Sequence, residues 1–299
     1  PAVKSALLNM EPDQLSAMFA QARANGAFTD DVSSVRAAMA DFVNYKGAKD
    51  PLTPSSRDNR GAEGEITGPL LFPVDYDYND AEVRAKVING DPKYKITAEQ
   101  WPRGVYQNGV FDKENPGKGL FKSMSLLQTY LHIFTAPKSA KSMQAEADKE
   151  REAARSDVEN IQPASIDSAS RPKKRRKVAA STASKKCVAN KLHLRRVTPR
   201  SIAYAAVHHR FALSDAPSWN DTDGDFEYIA YYNNIVDWFE DVPGPIAQKE
   251  VDDLLAWWNQ RVFKSAASAN TMEGSTDTTA SSSVLTMRQR RAARERSAA

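Results

Sequence analysis

Apolar residues recur every three or four positions in several separate stretches of the chain, which is the spacing of amphipathic helices. The first stretch runs from Asp13 to Ala24 and ends at Asn25-Gly26. The second runs from Asp31 to Tyr45, and Asp30 is suited to cap it. The pattern therefore predicts an N-terminal helical pair in residues 1–46.

Residues 47–68 are rich in Gly, Pro, Ser, Asp and Arg, which is typical of an extended loop or linker. A short helix capped by Asp80 and a packed loop anchored by Trp101 are predicted next. The strongest apolar stripe then begins at Gly119 and predicts the central buried helix; its positions are Leu120, Met124, Leu127, Leu131 and Phe134. We expect residues 47–137 to form the first half of the main helical domain.

Residues 138–197 lack sustained apolar periodicity and consist mainly of Ala, Ser, Lys, Glu and Arg, so we expect a disordered insertion. Thr198-Pro199 then resembles an N-cap followed by a first-turn proline, and it opens the second half of the domain, residues 198–263. Two further helices are predicted there, separated by Pro243-Gly244-Pro245. Residues 264–299 are rich in Ser, Thr, Ala and Arg and are predicted to form a disordered basic tail.

These elements define the predicted fold class as mainly α: an irregular helical domain with long loops, a disordered basic insertion and a disordered C-terminal tail. The chain of 299 residues is 41% hydrophobic, enough for a core, while its mean hydropathy of −0.59 shows that much of it is polar. No apolar run approaches the ~18 to 20 residues of a membrane span, so we expect no membrane contact. The single cysteine, Cys187, excludes an internal disulfide framework.

The net charge of +3 conceals a strongly uneven distribution. Residues 171–200 carry twelve Lys/Arg and no Asp/Glu, so the other 269 residues sum to −9, which is 3 minus 12. Residues 288–299 contribute five positive charges and one negative, which leaves about −13 for the rest of the chain. An acidic body repels phosphate backbones, so any nucleic-acid contact is expected to be weak, salt-sensitive and confined to the two basic arms.

A basic cluster in the insertion predicts where the protein works. The heptad from Pro172 to Val178 resembles the nuclear-import signal of polyomavirus large T antigen, with Arg175 where that signal has a third lysine. Such signals bind in an extended conformation, with cations entering acidic and tryptophan-lined pockets of an import receptor. The residues expected to make these contacts are Lys173, Lys174, Arg175, Arg176 and Lys177. The alternative is a solvated basic linker or a nucleic-acid arm, but the flanking Pro172 and Val178 and the polar surroundings favour an import signal.

Several sequence motifs of the main domain resemble a family of uncharacterised proteins of mushroom-forming, basidiomycete fungi. The resemblance covers roughly residues 44–263, and its motifs are Thr67-Gly-Pro-Leu-Leu-Phe-Pro-Val-Asp-Tyr76, Trp101-Pro-Arg-Gly-Val-Tyr106, Gly119-Leu-Phe-Lys122, His132-Ile-Phe-Thr-Ala-Pro137, Val197-Thr-Pro-Arg-Ser-Ile-Ala-Tyr204, Arg210-Phe-Ala-Leu-Ser214 and Asp253-Leu-Leu-Ala-Trp-Trp-Asn259. It implies a helical domain interrupted by a variable low-complexity segment, and it assigns no catalytic residue.

Candidate catalytic chemistry rests on four aspartates. Asp221-Thr-Asp-Gly-Asp225 resembles the start of a calcium loop, but Phe226 and Tyr232 occupy positions where an EF-hand needs Gly and Glu. An acidic turn that caps the next helix is the simpler interpretation. The alternative is a metal-dependent nuclease or transposase-like site, in which the carboxylates of Asp75, Asp77, Asp223 and Asp225 converge on two metal ions. Pro73 and the lack of convincing strands argue against it.

Histidines and aromatic residues are the remaining candidates. His209 falls on an apolar helical stripe, where a hydrogen-bonded core histidine is the usual explanation, and no histidine has the spacing of a zinc site. Trp257 and Trp258 point in different directions from one helix, so one of them is a candidate interaction anchor.

The sequence therefore predicts a non-enzymatic nuclear protein that acts as a macromolecular interaction module, with no cofactor, no metal and no catalytic residue. Its expected partners are a nuclear-import receptor and an unidentified nuclear protein. The alternatives are the metal-dependent enzyme and a DNA-binding factor that uses its basic arms, with Arg288 to Arg296 as a basic helix.

Overall fold

The computed structural model describes residues 27–135, 139–140, 143, 195–263 and 283–298. The predicted helix from Asp13 to Ala24 lies outside them. The helices, in chain order, are α1 (Ala27–Val43), α2 (Thr67–Leu71), α3 (Ala81–Ile88), α4 (Met124–Phe134), α5 (Pro199–Leu213), α6 (Tyr228–Glu240), α7 (Pro245–Phe263) and α8 (Ser283–Ala298). Two 3-10 turns, Arg103–Val105 and Gln107–Gly109, precede α4. The predicted mainly α fold is confirmed.

Strand structure in the described residues is confined to two short pairings. β1 (Thr222–Asp223) and β2 (Phe226–Glu227) form an antiparallel hairpin, with Thr222 opposite Glu227 and Asp223 opposite Phe226. An isolated bridge joins Pro73 to Pro102. The hairpin corrects the expected acidic capping turn, because the N-cap of α6 is Glu227 and its side chain makes no capping hydrogen bond.

Helix α5 is the hub of the core. Thr198 is its N-cap and Pro199 lies in its first turn, as the sequence predicts, and Thr198 and Ser201 form a reciprocal capping box. All residues from Ser201 to Leu213 are buried, and α1, α4 and α6 pack around them. Three alanines of α5, at positions 203, 205 and 206, allow its neighbours to approach closely. The central position therefore belongs to α5, although α4 is also largely buried.

Helix α4 begins at Met124, five residues after the predicted start at Gly119. The backbone at Gly119 and Phe121 has φ values of +77° and +55°, which no right-handed helix contains. Leu120 and Phe121 are nevertheless fully buried. The apolar stripe correctly identifies core positions here, although the first of them belong to a turn.

Helix α1 belongs to the same core. It begins at Ala27, so Asp30 lies in its first turn and is not the N-cap. Phe28, Val35 and Met39 are buried against α4 and α5. The segment between α1 and α2 is irregular, as expected for a loop, yet it is anchored by Arg60, whose guanidinium donates hydrogen bonds to the carbonyl oxygens of residues 36, 53 and 212.

Two other local predictions are confirmed. Asp80 caps α3, and its Oδ1 accepts hydrogen bonds from the backbone N–H groups of Glu82 and Val83 at 2.8 and 3.2 Å. Trp101 is fully buried, and its carbonyl oxygen accepts a hydrogen bond from Val74 N at 2.9 Å.

The C-terminal part of the chain differs from the predicted tail. Residues 283–298 form α8, which packs against α7, with Val284 and Met287 buried. Residues 264–282 and 299 lie outside the described part of the chain. A basic helix from Arg288 to Arg296 was predicted only in the DNA-binding alternative, and its docking was not predicted because its partners are distant in sequence.

Candidate interaction surfaces

Asp223 lies in an ion-paired cluster at the β1–β2 hairpin. Its Oδ2 lies 3.2 Å from Arg210 Nη1 and accepts a hydrogen bond from the Tyr228 hydroxyl at 3.3 Å. The Arg210 side chain is buried, and its guanidinium carbon lies 3.8 Å from the centre of the Phe226 ring. Asp225 pairs with Lys95 at 2.9 Å on the surface. Both aspartates are therefore bound to cations of the chain itself.

Asp75 and Asp77 lie beside a different cation. Both raise the pKa of Arg103 against the lowering that its burial causes. Asp77 Oδ1 also accepts a hydrogen bond from Asn79 N at 2.9 Å. A cavity of about 190 Å³ is lined by Asp223 and Asp225 but by neither of these two residues.

No group of three or more His, Cys, Asp or Glu side chains within the described ranges is placed to hold a metal ion. The four aspartates proposed for metal-dependent chemistry thus do not converge: two lie at the hairpin and two beside Arg103. Two-metal phosphoryl transfer requires converging carboxylates.

His209 is a core residue, as predicted. It is buried to 1% exposure, and its Nε2 lies 2.8 Å from the Ser125 hydroxyl oxygen on α4. Burial lowers its pKa from 6.5 to about 3, so the ring is neutral at physiological pH. The contact ties α4 to α5 and is structural.

The two adjacent tryptophans of α7 have different environments. Trp258 is fully buried, and its Nε1 donates a hydrogen bond to the Phe121 carbonyl oxygen at 3.1 Å. This ring is part of the core, so Trp257 is the one of the two that stays a candidate interaction anchor. Trp257 is half-buried and keeps one part of its ring at the surface.

Two cations lie against the Trp257 ring. The guanidinium carbon of Arg261 is 4.0 Å from the ring centre, and Lys122 Nζ is 5.8 Å from it. Burial lowers the pKa of Lys122, and the adjacent positive charge of Arg261 lowers it further. We call Trp257, Arg261 and Lys122 the tryptophan patch. It is a small cationic and aromatic surface on a body that is otherwise acidic.

Helix α8 docks on the surface where α6 ends and α7 begins. Three of its arginines contact that surface. Arg288 Nη2 lies 2.6 Å from Asp237 Oδ2, and Arg294 pairs with Glu250. Arg291 lies between them and donates hydrogen bonds to the carbonyl oxygens of Trp238 and Ala247, at 2.5 and 3.1 Å.

Arg291 is the most deeply buried of the α8 arginines, with 4% of its side chain exposed. Its guanidinium carbon lies 4.6 Å from the centre of the Trp238 ring, and Glu250 lies 3.8 Å from its Nε. Burial lowers the pKa of Arg291, and Glu250 raises it. Glu295 completes the contact, since its Oε1 accepts a hydrogen bond from Ala247 N in the first turn of α7 at 2.7 Å.

We call the α6–α7 surface that contacts these side chains the arginine groove, defined by Asp237, Trp238, Gly244, Ala247 and Glu250. A Cβ atom on Gly244 would lie 2.5 Å from Glu295 Oε2, so only glycine leaves room for this carboxylate where it stands. Sequence reasoning missed this docking. The signal was present in the spacing of Val284, Met287 and Arg291, which share one helical face.

The predicted nuclear-import residues, Lys173 to Lys177, lie outside the described part of the chain. Across residues 27–135, 195–263 and 283–298, no helix has both the length and the apolar character that a membrane crossing requires.

Together the fold and these surfaces define a helical protein with one continuous core. Charged side chains at the β1–β2 hairpin and in the arginine groove form ion pairs with other side chains of the same chain. The chain belongs to the family described as "Family of unknown function (DUF6698)", whose model matches residues 22–169 and 167–263. The match spans α1 to α7 and ends before α8. No curated protein and no solved structure matches the chain.

Proposed function

We propose that this chain is a non-enzymatic nuclear protein that acts as a macromolecular interaction module. The nuclear assignment rests on the resemblance of the cluster Lys173 to Lys177 to an import signal. The interaction assignment rests on the tryptophan patch. The partners are a nuclear-import receptor for the first and a nuclear protein for the second.

The observation that carries the interaction proposal is the contrast between Trp257 and Trp258. Trp258 fills the core, while Trp257 is only partly buried and has two cations against its ring. Tryptophan and arginine are enriched at the centres of protein interfaces, because they combine a large apolar area with directed polar contacts. A cationic and aromatic surface favours a partner that presents acidic or aromatic side chains.

The import proposal is tested with the full chain fused to a fluorescent protein. Alanine at all five positions from Lys173 to Lys177 is expected to abolish nuclear accumulation. The matched control replaces five other cations of the insertion with alanine, Lys185, Lys186, Lys191, Arg195 and Arg196. Equal loss in both variants would show that total charge, and no specific signal, determines the location.

The interaction proposal is tested by quantitative affinity capture from nuclease-treated nuclear extract. The full chain is compared with Trp257→Ala and with Val110→Ala, which truncates a side chain that is 64% exposed elsewhere on the surface. Partners that contact the tryptophan patch should be lost with Trp257→Ala alone. An unchanged set of captured proteins with both variants would remove the patch as the interaction site.

A further inference from the structure

The arginine groove holds α8 in the way that a binding site holds a peptide ligand. Arginines 288, 291 and 294 follow one another at three-residue intervals, which places them along one side of the helix. Arg288 meets the Asp237 carboxylate, Arg291 donates to the carbonyl oxygens of residues 238 and 247, and Arg294 meets the Glu250 carboxylate, which also lies 3.8 Å from Arg291 Nε. The groove thus recognises a row of arginines.

The central contact is the most selective of the three. A guanidinium group can donate to two carbonyl oxygens while lying over an aromatic ring, and Arg291 does both against Trp238 and Ala247. A lysine has the charge without the planar donor fork, so it cannot reproduce this arrangement. The groove is therefore specific for arginine, and not for positive charge alone.

Few apolar side chains anchor helix α8 among those that the structure describes for it. Only Val284, Met287 and Arg291 are buried among the side chains described for it, while the ion pairs of Arg288 and Arg294 remain partly exposed. Partly exposed ion pairs contribute little stability and are screened by salt. The docking is consequently of the kind that another helix with the same features can replace.

We infer that the arginine groove is a binding site for arginine-bearing helices of partner proteins, and that α8 is its intramolecular occupant. The occupant is defined by its chemistry: a helix with arginines at three-residue intervals, preceded by an apolar pair, and with a carboxylate one position after the last arginine. This inference does not depend on the tryptophan patch or on nuclear import.

Because α8 belongs to the same chain as the groove, an external helix must compete with it for binding. A tethered ligand acts at an effective concentration on the order of 1 mM. An external helix whose intrinsic affinity equals that of α8 therefore has an apparent Kd of about 1 mM or weaker, because its concentration must match this effective concentration to displace half of α8. Release of α8 removes this competition, so the groove becomes available when α8 is displaced or its charges are altered.

The test measures fluorescence anisotropy of a labelled peptide of residues 283–298 with three full-length proteins. The first is the unaltered chain. The second carries Arg288→Glu, Arg291→Glu and Arg294→Glu, which repel α8 from its acidic groove. The third adds Glu250→Gln to the second. We expect at least about tenfold tighter binding to the second protein than to the first, and about fivefold weaker binding to the third than to the second.

Two peptides of equal charge distinguish specific recognition of the arginines that contact the groove from non-specific electrostatic attraction. One carries Arg291→Ala, and the other carries Arg296→Ala at an exposed position outside the groove. Only the first substitution should abolish binding. Equal binding of both peptides would overturn the inference, and so would absence of binding to a charge-reversed protein whose thermal unfolding matches that of the unaltered chain. If charge reversal unfolds the protein, the double variant Arg288→Ala/Arg294→Ala is used in its place, because it weakens the docking of α8 without introducing repulsion. The same binding results would then support or overturn the inference.

Discussion

The buried histidine of α5 makes stability depend on pH. His209 is 1% exposed, and burial lowers its pKa from 6.5 to about 3. The folded chain therefore keeps this ring neutral at pH values where the unfolded chain protonates it. Since the unfolded state binds more protons in this window, the stabilisation is fully present above pH 6.5 and is lost as the pH falls toward 3.

The loss of unfolding free energy depends on the width of the pH interval between the pKa values of His209 in the unfolded and folded states. A single group contributes about 1.4 kcal/mol for each pH unit between its two pKa values. Lowering the pH from about 6.5 to about 4.5 is therefore expected to remove about 2 kcal/mol of unfolding free energy through His209 alone. The large pKa shift reflects the burial of the His209 ring, which extends from α5 and packs against α4.

Urea denaturation followed by tryptophan fluorescence measures this quantity when the full chain is compared with His209→Gln. Glutamine keeps a donor and an acceptor near Ser125 but does not titrate, so the other ionisable groups cancel in the difference. His193→Gln is the control for the loss of one histidine. Equal acid-induced losses for the unaltered chain and His209→Gln would refute the reasoning.

Three further substitutions test the packing in the same denaturation assay. Trp258→Ala is expected to cost about 3–5 kcal/mol because its ring is fully buried, and Trp257→Ala should cost less than half of that; similar losses would place both rings in the core. Thr198→Ala removes the capping hydroxyl of α5 and should cost about 1 kcal/mol, whereas Thr198→Ser should cost little, so equal effects would exclude the cap as the cause. Arg210→Met leaves the Asp223 carboxylate without its cation and should cost about 2 kcal/mol; adding Asp223→Asn should recover part of it, and no recovery would contradict the pairing.

Local signals predicted the elements whose causes lie within a few residues. The cap at Asp80, the N-cap at Thr198 and the helix break at Pro243 to Pro245 were all correct, because each depends on adjacent backbone groups. The start of α4 was placed too early, since burial of Leu120 and Phe121 in a turn gives the same apolar pattern as a helix.

The candidate surfaces depend on contacts between distant residues, which a single sequence does not reveal. Asp223 was named as a candidate metal ligand, but its ion-pair partner Arg210 lies on α5, and only the fold brings the two together. Helix α8 resembled a solvated tail because its docking relies on acidic residues more than thirty positions earlier. Trp257 and Trp258 could be separated only by the direction in which α7 packs.

The position of α5 between its neighbours governs how the protein can be made. Helices α1 and α4 both pack on α5, yet α5 begins only at Pro199, more than sixty residues after α4 ends. At ~5 to 20 residues per second, a ribosome needs about 3 to 13 s to synthesise the intervening stretch. During that interval, the apolar faces of α1 and α4 lack their main partner. The apolar faces of the first half of the chain therefore stay uncovered until α5 is synthesised. In that period the nascent chain depends on chaperones to avoid aggregation.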